Sequence, residues 1–276
     1  MNIAIIGLGL IGGSLAKSIK EHSDYTVWGC DIDPISVSKA EACGAIDEEL
    51  KMENLSLCKM VLVALYPEKC VDFIKEHADD FADDAVVIDC AGVKRAVVGP
   101  LEEVVKDRKW LYVGGHPMAG REFSGFGYAI GNLFEKASMI LTPPRDIDIA
   151  SLDFLKSFFL KTGFKSVRIT TPAEHDSMIA YTSQLAHIVS GAYVKNPRSA
   201  EHRGFSAGSF QDMTRVARLN EDMWTELCMD NADLLVPSID DFIFRLTQYR
   251  DALASGNSGD MKALLREGRL MKEALD

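Results

Sequence analysis

From residue 2 to residue 169, short apolar runs rich in β-branched residues alternate with longer stretches whose apolar positions recur at helical spacing. Seven runs read as strands: 2–6, 25–30, 60–64, 85–88, 111–113, 137–141 and 166–169. They are almost continuously hydrophobic rather than alternating, the mark of strands covered on both faces. Stretches such as 11–22 and 94–106 supply helices to cover them. The spacing predicts repeated βαβ units and a parallel sheet, an α/β domain of the Rossmann type.

After Ile169 the texture changes. Thr171-Pro172-Ala173-Glu174 combines a capping hydroxyl, a proline suited to the first helical turn and a carboxylate placed to reach back. A long helix is expected from there to about Tyr193, and further helices follow, broken at 204–208 and 255–259 by glycine-rich segments. No strand pattern recurs. The chain therefore divides into an α/β domain over 1–170 and an all-helical domain over 171–276.

Composition narrows the function classes. Hydrophobic residues make up 47% and charged residues 26%, as in soluble globular proteins. Asp and Glu number 41 against 30 Lys and Arg, a formal charge of −11, which repels phosphate backbones and anionic lipid. Nucleic-acid and membrane partners are therefore not expected, and an anionic substrate must be drawn in by local cations. No apolar stretch approaches the ~18 residues of a membrane helix, and no basic segment precedes the first apolar run. The six cysteines are scattered without a CxxC pair, so they are expected to be reduced, mostly buried thiols in a cytoplasmic protein. Nothing clusters like a metal site.

Gly7-Leu8-Gly9-Leu10-Ile11-Gly12 matches GxGxxG, a weak pattern alone. Here it follows an apolar strand at the start of the chain, opens a helix, and precedes a second strand that ends at Asp31. Gly7 suits the tight turn, Gly9 lets a pyrophosphate approach the backbone, and Gly12 lets the helix pack on the strand. The N–H groups around Leu10 and Ile11 then face the phosphates. Asp31 suits ribose hydroxyls and repels a 2′-phosphate, favouring NAD over NADP, and Asp33 adds to that repulsion. Leu65, just beyond the 60–64 run, is counted with the cofactor contacts. On this motif alone FAD stays open.

Gly114-Gly115-His116-Pro117-Met118-Ala119-Gly120-Arg121-Glu122 follows the 111–113 strand. That places His116 at the carboxyl end of a strand, where doubly wound sheets bind ligands. Together with Ser183-Gln184-Leu185-Ala186-His187, with Phe210-Gln211-Asp212-Met213-Thr214-Arg215-Val216-Ala217 and with the N-terminal glycine motif, this string resembles the prephenate/arogenate dehydrogenase family of tyrosine biosynthesis.

The resemblance implies oxidative decarboxylation: hydride passes from a ring carbon to NAD while the ring carboxylate leaves as CO2. It implies His116 as the acceptor that pulls on the 4-hydroxyl, since a neutral imidazole is available near pH 7. It implies Arg215 as a bidentate carboxylate grip, with Gln184 and His187 orienting the substrate, and a homodimer formed through the helical domain. Where the family often has serine in a D-x-x-S-V-K context, this chain reads Asp89-Cys90-Ala91-Gly92-Val93-Lys94. Gly92 stands at that substrate-facing position without a hydroxyl, so water, backbone or another residue must orient the histidine. Cys90 is expected to point elsewhere. Gln184 also replaces a histidine seen in many members.

Other readings of these residues stay open. Arg215 suits a surface ion pair, Gln184 and His187 suit satisfied polar groups in a bundle, and Arg121 suits pairing with Glu122. Prephenate is the expected substrate, arogenate the alternative, and a non-catalytic NAD(H)-binding regulator the reading from another class. A β-hydroxyacid dehydrogenase fits less well, because Lys195 and Asn196 are adjacent near a helix end and followed by Pro197. With little chain beyond the terminal helix and none before the first strand, neither a regulatory domain nor a fused chorismate mutase is expected. Any tyrosine feedback is then expected at the active site.

Overall fold

The first strand, β1 (Asn2–Ile6), sends Ile3 and Ile5 to one face and Ala4 and Ile6 to the other, and all four are buried. This computed structural model describes residues 1–121 and 123–275. β1 is joined by β2 (Thr26–Cys30), β3 (Glu48–Glu49), β4 (Met60–Val63), β5 (Val86–Asp89), β6 (Leu111–Pro117), β7 (Ser138–Thr142) and β8 (Ser166–Ile169). They form one sheet in the order β3-β2-β1-β4-β5-β6-β7-β8. The helices α1 (Leu10–His22), α2 (Pro34–Ala42), α3 (Pro67–Glu76), α4 (Arg95–Val105) and α5 (Ile149–Lys161) cover it. Leu15 and Ile19 of α1 and Leu155 and Phe159 of α5 pack on the face of Ile3 and Ile5. Cys70 and Ile74 of α3 and Val97 and Leu101 of α4 pack on the face of Ala4 and Ile6. Covering both faces is what the continuous hydrophobicity of the strands requires.

The structure departs from the sequence reading in three places. β3 was not expected, because it is two exposed glutamates paired beside Trp28 and Gly29 at the sheet edge and has no apolar signature. The sheet is not wholly parallel, since β6 and β7 pair antiparallel from Gly114↔Thr142 to Pro117↔Met139. The strand expected over 111–113 also runs on to Pro117. The glycines there suit crowding rather than a turn: a β-carbon on Gly114 would lie 2.3 Å from the Thr142 hydroxyl oxygen, and one on Gly115 2.5 Å from the Asp89 carbonyl oxygen.

Beyond β8 the chain is helical. The Thr171 hydroxyl accepts the Glu174 N–H at 3.2 Å while the Glu174 carboxylate accepts the Thr171 N–H at 3.4 Å, the reciprocal cap that the sequence announces for α6 (Pro172–Ile179). The helix continues through a π-turn, Ala180–Leu185, into α7 (Ala186–Val194). Then come α8 (Gly208–Thr214), α9 (Glu221–Asp230), α10 (Ala232–Ala254) and α11 (Ser258–Leu275). Of the 23 residues of α10 only Leu235 and Ala252 are buried, and none of α11 is. Among the described residues no helix is long and apolar enough to cross a membrane. The six cysteines carry free thiols, but only Cys58 and Cys70 are fully buried, and Cys43 is exposed, so burial is less complete than expected.

A methyl group on Gly12 would stand 1.9 Å from the Gly7 carbonyl oxygen. The substitution Gly12→Ala is therefore expected to push α1 off β1 and cost about 1–3 kcal/mol, as overpacking does. Urea unfolding reads this directly, and an unchanged midpoint contradicts the close helix–strand contact.

Candidate active site

The turn between β1 and α1 is built for close approach. Gly7 has φ +88°, a left-handed conformation that favours glycine, and its N–H donates to the Cys30 carbonyl at 2.9 Å. A β-carbon on Gly9 would meet nothing within 4 Å, so the space over the turn is open. Gly9 caps α1 without a side-chain hydrogen bond, and the first turn holds no acidic residue, so no side chain competes for the N–H groups around Leu10 and Ile11. Asp31 accepts the Leu8 N–H at 2.7 Å and the Asp33 N–H at 2.8 Å, which fixes its carboxylate beside the turn with lone pairs to spare. Leu65 lines the same turn, its methyl 2.8 Å from where a Gly7 β-carbon would be. Asp33, expected to reinforce the charge at Asp31, spends its carboxylate capping α2 through the Ile35 and Ser36 N–H groups.

His116 stands on the distal half of β6. Its Nδ1 lies 2.8 Å from Nε2 of His175, and His175 Nδ1 lies 2.7 Å from Oδ1 of Asp176. A carboxylate only accepts, so His175 carries its proton on Nδ1 and accepts at Nε2. His116 must then donate from Nδ1, which leaves its Nε2 with a lone pair. Burial pushes the His116 imidazole well below its usual 6.5, and both His175 and the Lys94 cation act in the same direction. Burial likewise lowers His175, against the pull of Asp176. Both rings are neutral near pH 7, and in that state the hydrogen-bond order above is the consistent one. The free Nε2 lies 3.9 Å from where a Gly92 β-carbon would be, and the Leu227 methyls lie 3.1 and 3.3 Å from the same point.

Beneath β6 a buried ion pair supports the strand at His116. Lys94 Nζ donates to Asp89 and, at 2.5 Å, to the Gly115 carbonyl next to His116, and both side chains are fully buried. Asp89 also accepts the Tyr112 hydroxyl at 2.8 Å, and burial together with that carboxylate pushes the phenol well above its usual 10. On the helical side, Asp176 accepts the Lys94 N–H at 2.7 Å, the Arg95 N–H at 2.9 Å and the Arg95 Nε–H at 3.1 Å. Burial alone raises the Asp176 carboxyl, but its hydrogen bonds from His175, Arg95 and Lys94 outweigh this and hold it below its usual 3.8. Arg95 reaches on to Asp233 and to Asn231 at 2.8 Å, and Asn231 donates to the Asp176 carbonyl at 2.9 Å.

The remaining sequence-predicted residues separate. The Gln184 side chain lies in the interior, where it donates to the Leu227 carbonyl at 2.6 Å and accepts from Asn231 at 2.8 Å. His187 instead stacks on Trp224 with centroids 3.8 Å apart, donates Nδ1–H to the Ser183 carbonyl at 2.9 Å, and feels the charge of Arg215. Trp224 and Leu227 sit at i and i+3 on α9, so one helix borders both the His187–Arg215 side and the Gly92–His116 side. Arg121 donates to the Tyr128 carbonyl at 3.3 Å, whereas Glu122, its expected partner, lies outside the described residues. Phe123 stacks on Tyr128 at 4.7 Å under the Arg218 guanidinium, tying the segment after β6 to the helical part. Asn196 caps the turn that follows it by accepting the Arg198 N–H at 3.0 Å. Cys90 is partly buried, and burial raises its thiol well above the usual 9.0, so it is no ready nucleophile.

The model of the family described as "Prephenate dehydrogenase, nucleotide-binding domain" matches residues 15–168, and that described as "Prephenate dehydrogenase, dimerization domain" matches residues 171–267. The chain belongs to the prephenate dehydrogenase family. The prephenate dehydrogenase of Bacillus subtilis is 32% identical over 257 residues, 90% of this chain and 69% of that protein. The crystal structure of prephenate dehydrogenase from A. aeolicus, in complex with hydroxyphenyl propionate and NAD+, is 29% identical with a TM-score of 0.86 and covers 100% of this chain and 98% of its own. Synechocystis arogenate dehydrogenase is 25% identical with a TM-score of 0.82, and each chain is covered completely.

Within this family member the glycine motif and the His116 loop were legible in the sequence, but His175, Asp176, Asp89, Lys94, Arg95 and Asn231 were missed. The available signals were the Asp89-to-Lys94 spacing across a strand-to-helix turn and a histidine–aspartate pair just inside a capped helix.

The lowered His116, His175 and His187 fix a sign for stability against pH. Their unfolded forms bind protons first, so this contribution is complete above about 6.5 and is lost as pH falls below it. The urea midpoint is expected to fall between pH 7 and pH 5, with a shallower slope in His116→Asn. Identical slopes in both proteins contradict the lowered His116.

Proposed function

We propose that the chain catalyses NAD-dependent oxidative decarboxylation of prephenate to 4-hydroxyphenylpyruvate, in tyrosine biosynthesis. The observation that carries this reading is the His116 Nε2 lone pair, opening beside Gly92 on the sheet that also carries the dinucleotide turn, in a member of this family. The turn fits a dinucleotide: its N–H groups are uncontested by side chains, the space over Gly9 is open, and Asp31 is preset for ribose hydroxyls. Leu10, Ile11 and Leu65 flank the cofactor alongside Gly7 and Gly12. Bound NAD supplies the hydride acceptor.

His116 accepts the hydrogen bond of the substrate's 4-hydroxyl, and takes its proton as the C–O bond gains carbonyl character and the C–H bond breaks with loss of hydride. The ring carboxylate leaves as CO2, and the electron pair of that C–C bond completes the aromatic ring. The proton on His116 returns to oxygen, so the product is a phenol and the base is regenerated. Arg215 holds a substrate carboxylate through its planar fork, and His187 stands beside it. Gln184 serves this site through Leu227, whose carbonyl it holds. The division into 1–170 and 171–276 is part of the proposal, supported by the capped start of α6 and by the extents of the two family matches. The free thiols suit a reducing compartment, the cytoplasm.

Arogenate, with an amino group where prephenate has a keto group, is the second reading. His187 spends its Nδ1–H on Ser183, so its neutral ring offers Nε2 only as an acceptor, which suits an amine. Reduced-nicotinamide formation, followed separately with prephenate and with arogenate, tests both. Prephenate is expected to be turned over, and His116→Asn to lower kcat by about 10²–10⁴-fold with NAD binding unchanged. NAD binding without turnover of either substrate overturns the enzymatic reading and favours a non-catalytic NAD(H)-binding regulator.

The same proposal includes a homodimer. Phe244 of α10 is 61% exposed and Leu253 68%, and Leu265 and Met271 of α11 lie similarly open. So much apolar surface on two long helices calls for a partner, and the match to the family's dimerization domain supports a second copy in that role. Light scattering should give twice 30.4 kDa, and the double substitution Ile243→Asp and Phe244→Asp should halve it. A monomeric wild type contradicts the assignment.

A further inference from the structure

Gly92 offers no hydroxyl to hold the base, and the side chain nearest its α-carbon face is Leu227 rather than a polar group. Orientation of His116 must therefore come from its other nitrogen. We propose that His175, fixed by Asp176, is a positioning residue that sets the tautomer of His116 from across the junction between the sheet and the helical part. His116 belongs to β6, whereas His175 and Asp176 lie in the first turns of α6. The hydrogen-bond order from Asp176 through His175 to His116 has one consistent assignment when both rings are neutral, and it puts the lone pair of His116 on Nε2. A neutral imidazole in water favours the opposite tautomer, with the proton on Nε2, and a base in that form presents a donor where the reaction needs an acceptor.

The chain that sets this tautomer is itself held. Asp176 takes the first N–H groups of α4 and the Arg95 guanidinium, so the carboxylate that fixes His175 is itself held in place. As His116 gains positive charge, His175 and the Asp176 carboxylate lie on its Nδ1 side. The Lys94 cation, balanced by Asp89, lies beneath it, and Arg95 lies beyond Asp176, balanced by Asp233. His175 therefore acts twice: it aims the lone pair before proton uptake and spreads the charge toward Asp176 after it.

This inference rests on the proposed oxidoreductase reading for its rate consequence, but its structural part is measured independently. Long-range proton–nitrogen spectra of the ¹⁵N-histidine-labelled full chain should show His116 with a protonated Nδ1 and a bare Nε2 at pH 7, and His175→Leu should reverse this. The same variant should lower kcat by about 10–100-fold, the usual cost of losing such a supporting partner, with substrate KM and NAD affinity within about twofold. His175→Gln, whose side-chain carbonyl can accept the Nδ1–H, should restore the tautomer and much of the rate. A wild-type His116 protonated at Nε2 overturns the proposal whatever the activity, and so does a His175→Leu enzyme with undiminished kcat. If the wild type turns over neither substrate, the functional reading fails while the spectra still decide the tautomer.

Discussion

A carboxylate leaves water at tolerable cost only when hydrogen bonds replace its hydration. Asp176, fully buried, meets that condition with donors from both halves of the chain: the backbone of Lys94 and Arg95, the Arg95 guanidinium, and His175. It caps α4 in trans, because the N–H groups it accepts are those at the start of a helix from another part of the sequence. Removing the Arg95 guanidinium would leave the buried carboxylate without its ion-pair partner, while its backbone and His175 hydrogen bonds remain. The junction between sheet and helices is thereby specified by polar geometry, and it brings α9 with Leu227 and Trp224 over Gly92 and His187.

The chemistry follows from that geometry. Burial, His175 and Lys94 keep His116 neutral, and the His175–Asp176 chain decides which nitrogen is bare. The Lys94–Asp89–Tyr112 cluster fixes the backbone on which His116 stands, through the Gly115 carbonyl. At the end of β1, three strands along the sheet, the absence of a capping side chain on α1 keeps N–H groups available to a pyrophosphate. Acceptor and anion cradle thus lie along one edge of one sheet, as a reaction that passes hydride to a dinucleotide requires.

What was legible in the sequence was local. The run of β1 and its glycine turn read correctly because turn chemistry and hydrophobic continuity are written in adjacent residues. The cap of α6 read correctly for the same reason. Pairing direction is a long-range property, so the antiparallel β6–β7 pair left no local trace. Gly114 and Gly115, expected beyond the end of the strand, lie within β6 and serve close strand contacts. Gln184 and His187 are three residues apart, a spacing expected to put them on one helix face, yet Gln184 lies within the π-turn of 180–185 and the two side chains go to different partners. His175 carries no separate signal, because Glu174 beside it already accounts for the segment as a helix start and no spacing rule links residue 175 to residue 116.

The most direct test of the account is a crystal structure of the chain with NAD and a para-hydroxyphenyl acid that mimics the product. The account predicts the phenol oxygen within about 2.6–3.2 Å of His116 Nε2, beside Gly92, with the acid turned toward Arg215 and the nicotinamide over the ring. A ring bound with its phenol away from His116, or a His116 whose Nε2 points into protein rather than at the ligand, contradicts it.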